Sequence, residues 1–270
     1  MKMNSEESLN ERFREAGSKY GYDSVTAKFE EFQDIKVRWQ RSYRWAEFKV
    51  TDYIRDAPDR IFEDLAKSIF AKINGVDCGY PDSMKEWLLR PQFVAEKRPV
   101  YLQRYAFKTH TEGTHKDLGA SMKRLADAGL VPQDLDAVVL WTEDRYFDKL
   151  ATSSVLMRTV FVSETADSPE VPDNVLDYAI YSELCRMMVD FDPTKQNQDG
   201  MDALKNAFEG RDTVEKWILG FLDRPEETDA DDRIIWSDPP ETEGYARKRT
   251  VPRTLTNLFT VAPVTAISGH

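Results

Sequence analysis

The stretch Val171-Pro172-Asp173-Asn174-Val175-Leu176-Asp177-Tyr178-Ala179-Ile180-Tyr181-Ser182-Glu183-Leu184-Cys185-Arg186 decides how this chain is read. A loop through Ser168-Pro169 and Val171-Pro172 hands over to a helix over about 173–189. Val175, Leu176, Ala179, Ile180, Leu184 and Met187 recur at helical spacing and make one apolar face. Phe191-Asp192-Pro193 breaks the helix. Ser182, Glu183 and Arg186 bring polar groups into the last turns of an otherwise apolar element.

Further helices are expected on its C-terminal side, at about 199–208 and 213–222. The second opens on Asp212 and Glu215, an acidic first turn, and has Val214, Trp217, Ile218 and Phe221 to bury. On the N-terminal side, Val155–Ser163 and Ala137–Trp141 read as strands, and 115–128 as a helix stopped by Gly129. Ile61, Phe62, Leu65, Ala66, Ile69, Phe70 and Ile73 form one stripe and predict an amphipathic helix over 59–73. Lys36–Tyr53 reads as strand with a phase slip between Trp45 and Phe48, Val100–Tyr105 reads as extended, and a short helix carries Met84, Trp87 and Leu88. No internal repeat is visible.

Composition narrows the class. The 270 residues are 41% hydrophobic, enough for a sizeable core, and the net charge is −11. Such a charge repels polyphosphate and disfavours nonspecific nucleic-acid binding. Two local segments run against it: Arg38, Arg41 and Arg44 among Trp39, Tyr43 and Trp45, and Arg247-Lys248-Arg249 with Arg253. The first is a candidate binding surface; its alternative is a strand and its approach, and the alternative for the second is a solvated tail. No apolar run is long enough to span a membrane, and residues 1–30 lack the apolar stretch of a secretory signal. Two cysteines, Cys78 and Cys185, cannot make a disulfide framework, and the whole pattern favours the cytoplasm. The expected organisation is a polar N-terminal extension over 1–30, one main domain over 31–222, and an acidic, polar tail over 223–270, partly disordered or docked through Trp236 and Leu255–Ile267.

A helix carrying His-Glu-x-x-His presents two imidazoles one turn apart to a single zinc ion, with the Glu as general base. The helix over 173–189 and its surroundings resemble the SprT-like, zincin-type metallopeptidases, among them archaeal members described as predicted metal-dependent hydrolases. The resemblance runs from about Val37 to Leu222. It is carried by Arg38-Trp39 with Arg41-Ser42-Tyr43-Arg44-Trp45, by Asp52-Tyr53 and Asp56-Ala57-Pro58, and by Pro99-Val100-Tyr101-Leu102. Glu112–Leu118, Ser153–Met157 and Val171–Tyr178 add to it, as does Asn197–Gly210, similar to a ligand segment of the form His-Asp-x-x-Phe ending at Phe-Pro-Gly. The resemblance implies an α+β, zincin-like domain with a small sheet packed on helices.

The departures fall on the chemistry. Ser182 and Arg186 stand at the two histidine positions, Asn197 at the third-ligand position, and only Glu183, the general-base position, remains. Neutral oxygen donors and a guanidinium do not make a zinc site, so the zinc expected of the family is not expected here. Arg186 could pair with Glu183 either as an anion-recognition pair or as a salt bridge replacing a lost metal. Of only three histidines, His110 and His115 could join Cys185 in a displaced metal site; the alternatives are a structural His115 and a buried, inert thiol. The reading is a catalytically inactive metallopeptidase-like protein acting as a binding or scaffold subunit for a protein partner. The alternatives are an active hydrolase with a displaced metal and a nucleic-acid-associated protein.

Overall fold

The computed structural model describes residues 5–76, 79–146, 148–189 and 197–223, and the backbone of 254–257. The chain is a mixed α+β protein with eight α-helices and two four-stranded sheets among the described residues.

The first half opens on α1 (Ser5–Ser18) and β1 (Ser24–Glu30). Residues 1–30 are therefore not a polar extension from Ser5 onward: Leu9, Phe13 and Ala16, spaced by four and three, lie fully or almost fully buried on one face of α1. Gly17 allows the close approach, since a Cβ there would lie 2.6 Å from Val25 Cγ2 and 2.8 Å from Phe70 Cζ. The expected phase slip between 36 and 53 is a hairpin of β2 (Lys36–Arg41) and β3 (Trp45–Thr51). β3 pairs antiparallel with β2 and parallel with β1. Alternate residues Val25, Ala27 and Phe29 of β1 and Ala46, Phe48 and Val50 of β3 face the core, where α1 and α2 (Asp59–Ile73) cover them. The bounds of α2 are those expected for the helix that carries the apolar stripe. On the other face of the sheet Thr26, Lys28, Arg38 and Gln40 are exposed. β8 (Thr254–Asn257) completes it on the far side of β2. The remainder of the expected tail beyond Asp223, including Trp236, the basic run 247–249 and the rest of Leu255–Ile267, lies outside the described residues.

α3 (Asp82–Leu89) and α4 (Pro91–Tyr105) lead out of this half. Val100–Tyr105 is thus helical, not extended: Tyr101 and Tyr105 stand one turn apart and bury their rings with Phe161. Arg104 anchors the helix by two hydrogen bonds to Asp52, at 2.8 and 2.6 Å, and one to Phe32 O.

The second half holds β4 (Thr109–His110), α5 (Leu118–Asp127), β5 (Val138–Thr142), β6 (Ala151–Ser154) and β7 (Thr159–Ser163). Its sheet runs β4-β5-β7-β6, with β5 and β7 parallel and β6 antiparallel at one edge. The single strand expected over Val155–Ser163 starts only at Thr159. The chain turns through Val155–Arg158, with Arg158 at φ 50°, and the preceding arm is β6. α6 (Asp173–Met188) packs on this sheet, with α7 (Gln198–Lys205) and α8 (Arg211–Leu222) against it. β7 lies between the two cores: Val160 and Val162 belong to the one under α6, and Phe161 to the one around α2 and α4.

Candidate functional site

α6 starts at Asp173 directly after Pro172, and its apolar side chains fill the second core. Glu183 nevertheless lies on its buried side, 7% exposed. A buried carboxylate needs partners. Ser153 Oγ of β6 donates to Glu183 Oε2 at 2.6 Å, and Arg186 Nη1, one turn along the helix, lies 3.4 Å from the same oxygen. Ser182 turns back on its own helix and donates to Ala179 O at 3.0 Å. Asn197 is exposed and caps α7, its Oδ1 accepting the Gly200 N–H at 3.0 Å. Among the described residues no hydrogen bond joins Asn197 to Ser182, Glu183 or Arg186.

Glu183 and Arg186 are thus brought together, and Ser153 joins them. Sequence reasoning gave Ser153 no role, although it lies in the stretch Ser153–Met157 that carried part of the resemblance. Tyr146 belongs to the same surroundings: burial first, and then the carboxylates of Asp144 and Glu183, push its phenol above the usual range. The hydroxyls and amide here are neutral donors and Arg186 is a fixed cation beside the one carboxylate, so this donor set does not fit zinc. Nor does the Ser153–Glu183 contact make a nucleophile, because a carboxylate is too weak a base to take the proton of an aliphatic hydroxyl without a histidine between them.

The other histidine and cysteine candidates are held apart. Cys185 is fully buried in the second core, and burial pushes its thiol up to about 11, so it is protonated at neutral pH. His110 lies on β4, where Nε2 meets Glu164 Oε1 at 2.6 Å and Nδ1 meets Glu112 O at 2.7 Å; the bond to Glu164 raises its pKa. His115 sits in a loop fixed by Asp167, whose carboxylate accepts the backbone N–H groups of Thr114, His115 and Lys116 at 2.5, 2.8 and 2.8 Å. Partial burial raises the Asp167 carboxyl, but those three donors outweigh it and hold the group below the usual carboxylate range. Gly113 is required in this loop, since a Cβ would lie 2.3 Å from Lys116 O and 2.9 Å from Trp141 Nε1. Among the described residues no three His, Cys, Asp or Glu side chains gather as metal ligands, so His110, His115 and Cys185 do not share a site.

The basic and aromatic candidates of the first half form the β2–β3 hairpin. Tyr43 at its tip is 92% exposed and Trp45 43%. Trp39 packs partly on the first core. The cations have local partners: Arg41 Nη1 donates to Tyr22 OH at 3.1 Å, Arg44 lies 3.2 Å from Asp23, and Arg38 stands over the Phe32 ring at 4.9 Å. None of the described helices is long and apolar enough to cross a membrane.

No family model, no curated protein and no solved structure matches this chain.

Proposed function

We propose that the protein is a catalytically inactive, zincin-like (SprT-like) metallopeptidase relative that acts as a binding or scaffold subunit for a protein partner. The contact of Ser153 with Glu183 carries this reading. It sets β6, an edge strand of its sheet among the described residues, directly against the helix that carries Ser182 and Arg186 at the ligand positions. An extended peptide added to that edge would lie beside Glu183 without meeting a reactive centre. Arg186 in place of a ligand supports the loss of metal, since it supplies in protein form the positive charge that Glu183 would otherwise face.

The experiment is elemental analysis of the untagged full chain purified without chelator, together with a peptidase assay on unfolded protein. The expected result is no stoichiometric zinc and no cleavage. About one zinc per chain with cleavage would replace this reading by that of an active hydrolase. The exposure of Tyr43 and Trp45 is what favours a nucleic-acid-associated role as the second reading. Salt-sensitive binding of single-stranded oligonucleotides, lost in Tyr43→Ala/Trp45→Ala, would establish it.

A further inference from the structure

The last turn of α2 ends on a closed cap. Gly75, at φ 79°, takes the left-handed position after the helix. Its N–H donates to Lys72 O at 3.1 Å, and the Val76 N–H reaches back to Ala71 O at 2.9 Å. Asn74 stands between helix and glycine, with its backbone N–H on Phe70 O and Ala71 O and its side-chain Nδ2 on Phe70 O at 2.7 Å. Asn74 and Gly75 are both exposed, and beyond the chain neighbours nothing lies within 4 Å of where a Cβ on Gly75 would stand. Of the asparagines in the sequence, Asn74 alone precedes a glycine. That order has a chemistry of its own, since no side chain shields the glycine nitrogen from the asparagine amide.

We propose that Asn74 is a self-modification site, converted to isoaspartate and aspartate through attack by the Gly75 nitrogen when the cap opens. The Gly75 nitrogen bonds to Asn74 Cγ, the Cγ–Nδ2 bond breaks, and the proton lost from Gly75 leaves with the amide as ammonia. Water then opens the five-membered imide. Addition at one carbonyl gives aspartate; addition at the other moves the chain onto the side-chain carbons and gives isoaspartate. Nothing is oxidised or reduced, and water is the sole co-reactant. In the closed cap both reacting groups are engaged, Nδ2 with Phe70 O and the Gly75 N–H with Lys72 O. Asn74 at ψ 13° also holds the Gly75 nitrogen away from the position that ring closure needs. The cap therefore sets the rate, because each bond that must open first lowers the reactive fraction. The products do not close it again. Isoaspartate lengthens the backbone by a carbon inside the bonded turn, and aspartate replaces a donor to Phe70 O with a carboxylate at the negative end of a helix. Phe70 packs against Phe13, Tyr22 and Phe48, so a loosened helix end is felt in the first core. The inference rests on these atoms and is independent of any metallopeptidase relationship.

The test incubates the full-length protein at mildly alkaline pH and follows Asn74 by peptide mass and by isoaspartyl methyltransferase labelling. A blocked peptide with the sequence of residues 70–76 gives the rate without a cap. The protein is expected to convert about tenfold more slowly than the peptide, as the hydrogen bonds that must open imply. Lys72→Gly loosens the last turn of α2 without touching Asn74 or Gly75, and should raise the rate about fivefold. In the wild type, urea well below the unfolding midpoint should raise conversion and amide exchange at Gly75 and Val76 in the same proportion. That measurement decides the matter if Lys72→Gly does not fold. Converted chains, separated by their added negative charge, should melt about 2–4 °C below unconverted ones. No conversion at Asn74 while the peptide converts, or a rate equal to the peptide's, would overturn the proposal. So would conversion that does not follow exchange at Gly75 and Val76, or converted chains that melt with the unconverted.

Discussion

Arg124 and Asp177 face each other across α5 and α6 in a fork-to-fork pair, Nε to Oδ2 and Nη2 to Oδ1, both at 2.7 Å. Asp177 is 7% exposed, and the same guanidinium also donates to Ser121 Oγ at 2.9 Å. The pair ties α6 to α5 beside the apolar contacts of the second core.

Arg124→Met should destabilise the protein by about 1–3 kcal/mol, because removal of one partner leaves the buried Asp177 carboxylate without its charged donors. Replacing both residues, Arg124→Met/Asp177→Leu, should cost less than Arg124→Met alone. Urea denaturation of the three proteins checks the order. A double variant as unstable as the sum of the single ones would show that the two residues do not act as a pair.

The zincin-like reading has a direct test on α6. Ser182→His/Arg186→His/Asn197→His places two imidazoles one turn apart on α6 and offers a third from the start of α7. Structural zinc sites contribute about 10 kcal/mol or more, but an engineered site without tuned outer partners should bind more weakly, at around micromolar. Arg186→His alone should bind little. Calorimetric titration with zinc compares them. A folded triple variant with no gain over wild type would mean that the three positions do not converge, and the zincin-like reading would go with them.

Asp167 gives a pH signature. Its pKa in the folded chain lies below the usual carboxylate value, so the ionised form is favoured by folding. The stability it contributes is present above the ordinary carboxylate range and is lost as pH falls through the depressed value. Asp167→Asn should therefore cost about 1–2 kcal/mol at pH 7, and the gap between variant and wild type should narrow under acid. Urea midpoints at pH 7 and pH 3 measure both, and a gap that widens under acid would contradict the assignment.

The two ends of the first half make a contrast. Phe13→Ala should cost about 3–5 kcal/mol, since it empties a fully buried ring position among Phe48 and Phe70. Tyr43→Ala at the hairpin tip should stay within about 0.5 kcal/mol. Thermal or urea unfolding of the two variants settles whether α1 belongs to the core.

The elements read best from sequence are those whose pattern repeats over several turns. The stripe from Ile61 to Ile73 fixes α2 to the residue. A short helix after Ser5-Glu6-Glu7 is legible in the sequence, but the place of α1 in the core is not, because three apolar residues, Leu9, Phe13 and Ala16, carry its inner face within a polar segment. α4 was misread because Pro99 and the β-branched Val100 point away from helix, whereas the buried rings of Tyr101 and Tyr105 decide in its favour. The hairpin of β6 and β7 was hidden by the absence of glycine or asparagine at its left-handed position, where Arg158 stands. At the candidate site, the helix and its three polar residues follow from local spacing. Ser153 does not, because its meaning depends on a strand thirty residues earlier in sequence reaching the helix.

β7 is a wall with a tenant on each side. Its five residues are all buried, and neighbouring ones answer to different cores. Neither half can come apart without baring the strand that the other needs, so the halves should melt together. Calorimetry should record one endotherm in which the van't Hoff and calorimetric enthalpies agree. A cut between Asp127 and Asp136 should leave two pieces that are soluble only in each other's company, and a partner that grips one half would be felt as added stability throughout the other.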